Sequence, residues 1–183
     1  MCQKTHAPLE SYEVNRSTIA VLPEEIDGKM GSKVIEKDCI LYVSMKPIHI
    51  IDRSCRYFGS SYAGRKAGTY EAIKISHKPP IMVDPSNHIF LFPTLSSARP
   101  QCGWISHVHV KDFQPTAFDD TAVTFSNGKT MELEVSYHSF ENRNLKCAKK
   151  LIPLLPQGIN TVVAQITWTK EQSKVADALF LCK

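Results

Sequence analysis

Thr121-Ala122-Val123-Thr124-Phe125-Ser126-Asn127-Gly128-Lys129-Thr130-Met131-Glu132-Leu133-Glu134-Val135 is the stretch that decides the fold class. Two runs rich in apolar and β-branched residues flank Asn127-Gly128, a dipeptide favoured where a type I′ turn needs positive φ at both central positions. The pattern predicts a β-hairpin, and therefore antiparallel pairing. Working outward, Thr18 to Leu22, Cys39 to Met45 and His88 to Phe92 also read as strands, and Ile81 to Val83 is a short apolar run between prolines. Pro23 to Gly28 is rich in turn residues. Trp104 to Val110 alternates, which places Trp104, Ser106, Val108 and Val110 on one side of a strand and Ile105, His107 and His109 on the other. Five or six strands are expected, without an internal repeat.

A helix is predicted over about residues 60–75. Ser60 or Ser61 can cap it, and Ser60, Gly64 and Gly68 recur every four residues to give one face without bulky side chains. Ile48 to Ile51 fits either helix or strand. The expected class is α+β: a mainly antiparallel sheet, one principal helix near residues 60–75 and a poorly specified C-terminal tail. Residues 1–16 read as a loose arm.

The 183 residues are 43% hydrophobic and 22% charged, which is too apolar for a disordered chain and fits one globular domain. No apolar run reaches the roughly 18 residues that a membrane span requires, and the N-terminus lacks the order of a secretion signal. Six scattered cysteines then read as thiols rather than disulfides. The net charge of +4 is unevenly placed. Residues 46–111 hold nine Lys and Arg against three Asp and Glu, while residues 112–141 hold one against six. The basic middle is a footprint suited to a polyanion.

Within it, Arg53-Ser54-Cys55-Arg56-Tyr57-Phe58-Gly59-Ser60-Ser61-Tyr62-Ala63-Gly64-Arg65-Lys66-Ala67-Gly68-Thr69-Tyr70 combines four bases, three tyrosines and a helix start. Serine hydroxyls and free N–H groups at a helix N-terminus bind phosphate oxygens, and arginine can enter a narrow A·T-rich minor groove. Charge nominates Arg53, Arg56, Arg65, Lys66, Lys74 and Lys78 for DNA, with Ser60 and Ser61 beside them.

Catalytic alternatives are poorer fits. A phosphate loop needs Gly-Lys-Ser/Thr, but Gly64 is followed by Arg65-Lys66-Ala67. Cys55 lies between Arg53 and Arg56 yet has no local base to activate it. Cys102, His107 and His109 lack the paired spacing of structural zinc sites. No catalytic residue, metal or cofactor is assigned; a Cys/His metal protein is the residual non-DNA reading.

The residues also carry a resemblance. Ala7-Pro8-Leu9-Glu10-Ser11-Tyr12-Glu13-Val14, the run from Ser54 to Tyr70, Ile75-Ser76-His77-Lys78-Pro79-Pro80-Ile81-Met82-Val83-Asp84-Pro85, Phe90-Leu91-Phe92-Pro93-Thr94-Leu95 and Arg99-Pro100-Gln101-Cys102-Gly103-Trp104-Ile105 resemble the ComK family of competence transcription factors. The likeness implies a cytoplasmic, non-enzymatic activator of DNA-uptake genes. It implies binding to paired A·T-rich boxes of double-stranded DNA, largely through the minor groove, as a multimer built from dimers. Residues 1–142 are expected to form the family's DNA-binding domain. Residues 143–183, from Arg143-Asn144-Leu145-Lys146 onward, differ from the basic, aromatic family tail associated with activation and with a proteolytic adaptor. An activation-defective or interfering variant is the alternative expectation.

Overall fold

The computed structural model describes residues 7–146 together with 149 and 150, so nearly all of the expected tail lies outside the described residues. The described chain is α+β, as the hairpin pattern predicted. A six-stranded sheet runs in the order β3-β2-β1-β6-β5-β4, and a three-stranded sheet in the order β7-β8-β9. The strands are β1 (Thr18–Ile26), β2 (Lys29–Glu36), β3 (Ile40–Val43), β4 (Ile81–Asp84), β5 (Ile89–Pro93), β6 (Trp104–Ser106), β7 (Val110–Pro115), β8 (Thr121–Phe125) and β9 (Thr130–Leu133). Every strand pairing is antiparallel. The helices are α1 (Pro47–Tyr57), α2 (Tyr62–Ile73) and α3 (Tyr137–Lys146).

Both turn dipeptides form hairpins, and the type I′ geometry expected at Asn127-Gly128 is found at Asp27-Gly28 instead. Asp27 and Gly28 have φ of 50° and 72° and join Ile26 to Lys29 in the two-residue geometry of a type I′ turn. At Asn127-Gly128 only the glycine is left-handed, and Phe125 N donates to Lys129 O at 2.9 Å, closing a three-residue loop. β1 also runs past Pro23. β6 reaches only Ala20 and Val21, so beyond them β1 has an open side on which proline is tolerated.

The nine described strands exceed the five or six expected, chiefly because Lys29–Glu36 and Val110–Pro115 have few consecutive apolar residues. The alternation from Trp104 to Val110 does not form one strand. His107–His109 is a turn of 3₁₀ helix between β6 and β7, so the two histidines do not share a strand face. His107 Nδ1 lies 2.6 Å from Asn144 Oδ1, while buried His109 bonds Arg16 O through Nε2 at 2.9 Å and Ser126 Oγ through Nδ1 at 2.8 Å.

The described part of the expected arm is packed rather than loose. Tyr12 and Val14 are buried, Leu9 N donates to Tyr42 O at 2.8 Å, and Val14 N donates to Ser54 Oγ at 2.9 Å.

Two apolar clusters lie on opposite faces of the large sheet. Val21, Leu91 and Trp104 pack with Ile50, Ile51 and Cys55 of α1, whereas Ile19, Phe92 and Ile105 pack with Val123, Phe125 and Leu133 of the small sheet and Phe140 of α3. Thus α1 and α2 cover one face, and the small sheet with α3 covers the other. No helix among the described residues is long and apolar enough to cross a membrane.

Candidate nucleic-acid interface

Pro47 occupies the first turn of α1, where its missing N–H costs nothing, and Ile50, Ile51, Ser54 and Cys55 form the buried face. This arrangement leaves Arg53, Arg56 and Tyr57 outward. The helix ends at Gly59, whose φ of +75° suits a residue without Cβ. Gly59 N donates to Arg56 O at 3.0 Å and Ser60 N to Cys55 O at 2.9 Å, the paired bonds of a Schellman end. The chain therefore reverses within a few residues, and Ser61 begins α2. Its Oγ accepts from Gly64 N at 3.1 Å, as the capping pattern predicted.

The N-terminus of α2 already holds an anion. Asp52 Oδ1 accepts from Tyr62 N at 2.9 Å, while Oδ2 accepts from Arg56 Nε at 2.9 Å. A helix start favours negative charge, and here a carboxylate from the preceding helix supplies it. Ser60 and Ser61 are half-buried around this joint.

The other nominated residues divide by what they already touch. Arg65 donates to Phe58 O at 3.1 Å, and its Nε is buried with no partner among the described residues, so it braces α2 against the end of α1. Arg53 pairs with Glu13 at 2.5 Å and Lys74 with Glu71 at 2.7 Å, both at the surface. Exposed pairs of this kind, like that of Arg56 with Asp52, contribute about 0–1 kcal/mol and exchange readily for a phosphate. Lys66 is exposed and pairs with no acid among the described residues. Lys78 is not part of this group; Arg99 and Arg143 are its charged neighbours.

The structure adds two aromatic residues that charge counting passed over. Tyr57 is 72% exposed beside Arg53 and Arg56, and Tyr70 is 45% exposed with Lys74 Nζ 5.4 Å from its ring centroid. Lys66 and Tyr70 stand on the open side of α2 and Lys74 follows at its left-handed C-cap, a spacing of four that the sequence alone could have revealed. Tyr62 instead turns inward, edge-on to Trp104 at 5.8 Å.

Thr69 is the single buried residue of α2. A Cβ on Gly68 would meet nothing within 4 Å, so the small-residue face is open there, whereas at Gly64 it would meet the hydroxyls of Ser60 and Ser61 at 3.1 and 3.3 Å. Cys55 is a buried thiol pushed up to about 11 by burial, which outweighs the opposing pull of Arg65 and favours the protonated form.

Comparison with known proteins follows this geometry. Residues 9–155 match the family model described as ComK protein. The chain is 79% identical over 148 residues to the competence transcription factor of Bacillus subtilis (strain 168), an alignment covering 81% of this chain and 77% of that relative. No solved structure matches it.

Proposed function

The chain belongs to the ComK protein family, and from that premise we propose that it is a transcriptional activator of competence genes that grips DNA through the exposed side of α1 and α2. The observation that carries the reading is the exposure of Lys66 and Tyr70 on a helix that buries little, with Lys74 at its C-cap and Arg53, Arg56 and Tyr57 alongside. A helix is about 10–12 Å across and a minor groove about 6 Å wide, so α2 cannot enter that groove. It lies instead along the phosphates while an arginine of α1 reaches inward, where a narrow A·T-rich groove concentrates negative potential. Paired A·T boxes fit binding by more than one copy of the chain, in the cytoplasm and without catalysis.

Fluorescence anisotropy on a duplex carrying two A·T boxes, run over a salt series, tests the reading. Replacing both Lys66 and Lys74 by Ala should weaken binding and flatten the salt slope by about 0.9 per lost phosphate contact. Equal affinity for mixed-sequence DNA, or an unchanged slope in the double variant, would overturn it.

A further inference from the structure

A second concentration of positive charge lies away from the α1–α2 joint. His77 and Lys78, from the segment before β4, face Ser139, Asn142 and Arg143 of α3 across a cleft of about 200 Å3. That volume holds a tetrahedral oxyanion with a few waters, each of which occupies about 30 Å3. Arg143 is only 6% exposed, and its guanidinium donates to the carbonyls of Pro93 and Thr94. Those carbonyls orient the group but do not neutralise it.

No carboxylate among the described residues does so either. The single acid of α3, Glu141, faces His138 at 4.0 Å, and Asp84 of β4 is bound to Ser86 N and Asn87 Nδ2. Cys102 is close enough to feel both Lys78 and Arg143, yet burial keeps its thiol protonated. Lys78 is held below the usual lysine range, first by burial and then by Arg143 and Arg99. Its backbone is also costly: φ is +47° at a residue that precedes proline, a position biased toward extended conformations. Strain of this sort is retained where the surrounding structure requires the placement.

We propose that this cleft is an oxyanion site which takes a phosphate group between Lys78, His77 and the buried guanidinium of Arg143, with Ser139 and Asn142 as neutral hydrogen-bonding partners. Fixed cations converging on a half-enclosed cleft, with no counter-ion among the described residues, are completed by a ligand bearing negative charge. The phosphate could come from a DNA backbone or from a free phosphate in solution. The chemistry is shared, and binding is measurable without DNA, so the site stands independently of the α1–α2 reading.

The test is calorimetric titration of the full-length protein with sodium phosphate against sodium chloride of equal ionic strength. Saturable phosphate binding is expected, weakened about tenfold by Lys78→Gln through loss of one charge-assisted hydrogen bond. Lys111→Ala, which removes an exposed charge elsewhere, should leave it unchanged. His77→Ala serves as a second variant should Lys78→Gln fail to fold. Heat indistinguishable from chloride, or equal loss with Lys111→Ala, would overturn the proposal. Given phosphate binding, competition by phosphate against DNA together with weaker DNA affinity in Lys78→Gln assigns the ligand to the DNA backbone. Unchanged DNA affinity assigns it to free phosphate, and both outcomes support the site.

Discussion

Asp52 of α1 accepts a hydrogen bond from the backbone N–H of Tyr62, the first residue of α2, at 2.9 Å. One carboxylate therefore closes the joint between two helices and also holds Arg56. Asp52→Ala should destabilise the fold by about 1–2 kcal/mol, because an orphan N–H loses its acceptor. It should also strengthen DNA binding, since Arg56 is released and a negative charge leaves the interface. Urea midpoints and anisotropy read the two effects separately; lower affinity in a folded variant would contradict the placement of Arg56 at DNA.

Gly59 and Gly68 both border open space, yet their replacements should have opposite signs. Gly59→Ala forces a side chain into φ +75° and should cost about 1 kcal/mol. Gly68→Ala lies inside a helix and should add about 0.5–1 kcal/mol of stability. Chemical denaturation of the pair checks this, and a stabilising Gly59→Ala would mean that the Schellman end relaxes without it.

The acid limb of stability should depend on Tyr12. Burial pushes the Glu36 carboxyl upward, but hydrogen bonds from Tyr12, Asn15 and Cys39 outweigh it and hold the group below its ordinary value of 4.5. A depressed carboxylate stabilises the fold at pH above the unfolded value, and that contribution is lost as pH falls through the folded one. Tyr12→Phe removes the donor at 2.7 Å and should cost about 1–2 kcal/mol at neutral pH. Its stability should then fall less steeply in acid, as denaturation measured across the acid range will show.

Substitutions on the two faces of the large sheet should be independent. Phe140 packs edge-on to Phe92 at 5.3 Å on one face, while Ile50 belongs to the cluster on the other. Phe140→Ala should cost about 3–5 kcal/mol and Ile50→Val about 0.5–1.5 kcal/mol. Their sum should match the double variant within about 0.5 kcal/mol. A larger discrepancy in urea midpoints would show that the faces are coupled.

The elements legible in the sequence were those whose signal is local. The Thr121–Val135 hairpin declares itself through alternation around Asn127-Gly128, and α2 through Ser61 three residues before Gly64. β2 was illegible because Lys29, Gly31 and Lys33 interrupt it, and its partners on both sides supply the order. α1 hid behind the short run Ile48 to Ile51; Pro47 as a first-turn residue was the available clue. At the proposed site, charge nominated Lys66 and Lys74 but gave no sign of Asp52, whose role depends on a contact ten residues away. The same holds for Lys78, which charge grouped with α2 and folding placed beside α3.

The division of the interior by the large sheet has a consequence for inheritance. Among the described residues the buried apolar side chains beneath α1 and α2 form one cluster and those beneath α3 another, so compensating changes in apolar packing need arise only among neighbours on the same side. A lineage can rewrite one half of this protein by successive substitutions without disturbing the surface presented by the other. Each face thus accumulates its own history within a single chain.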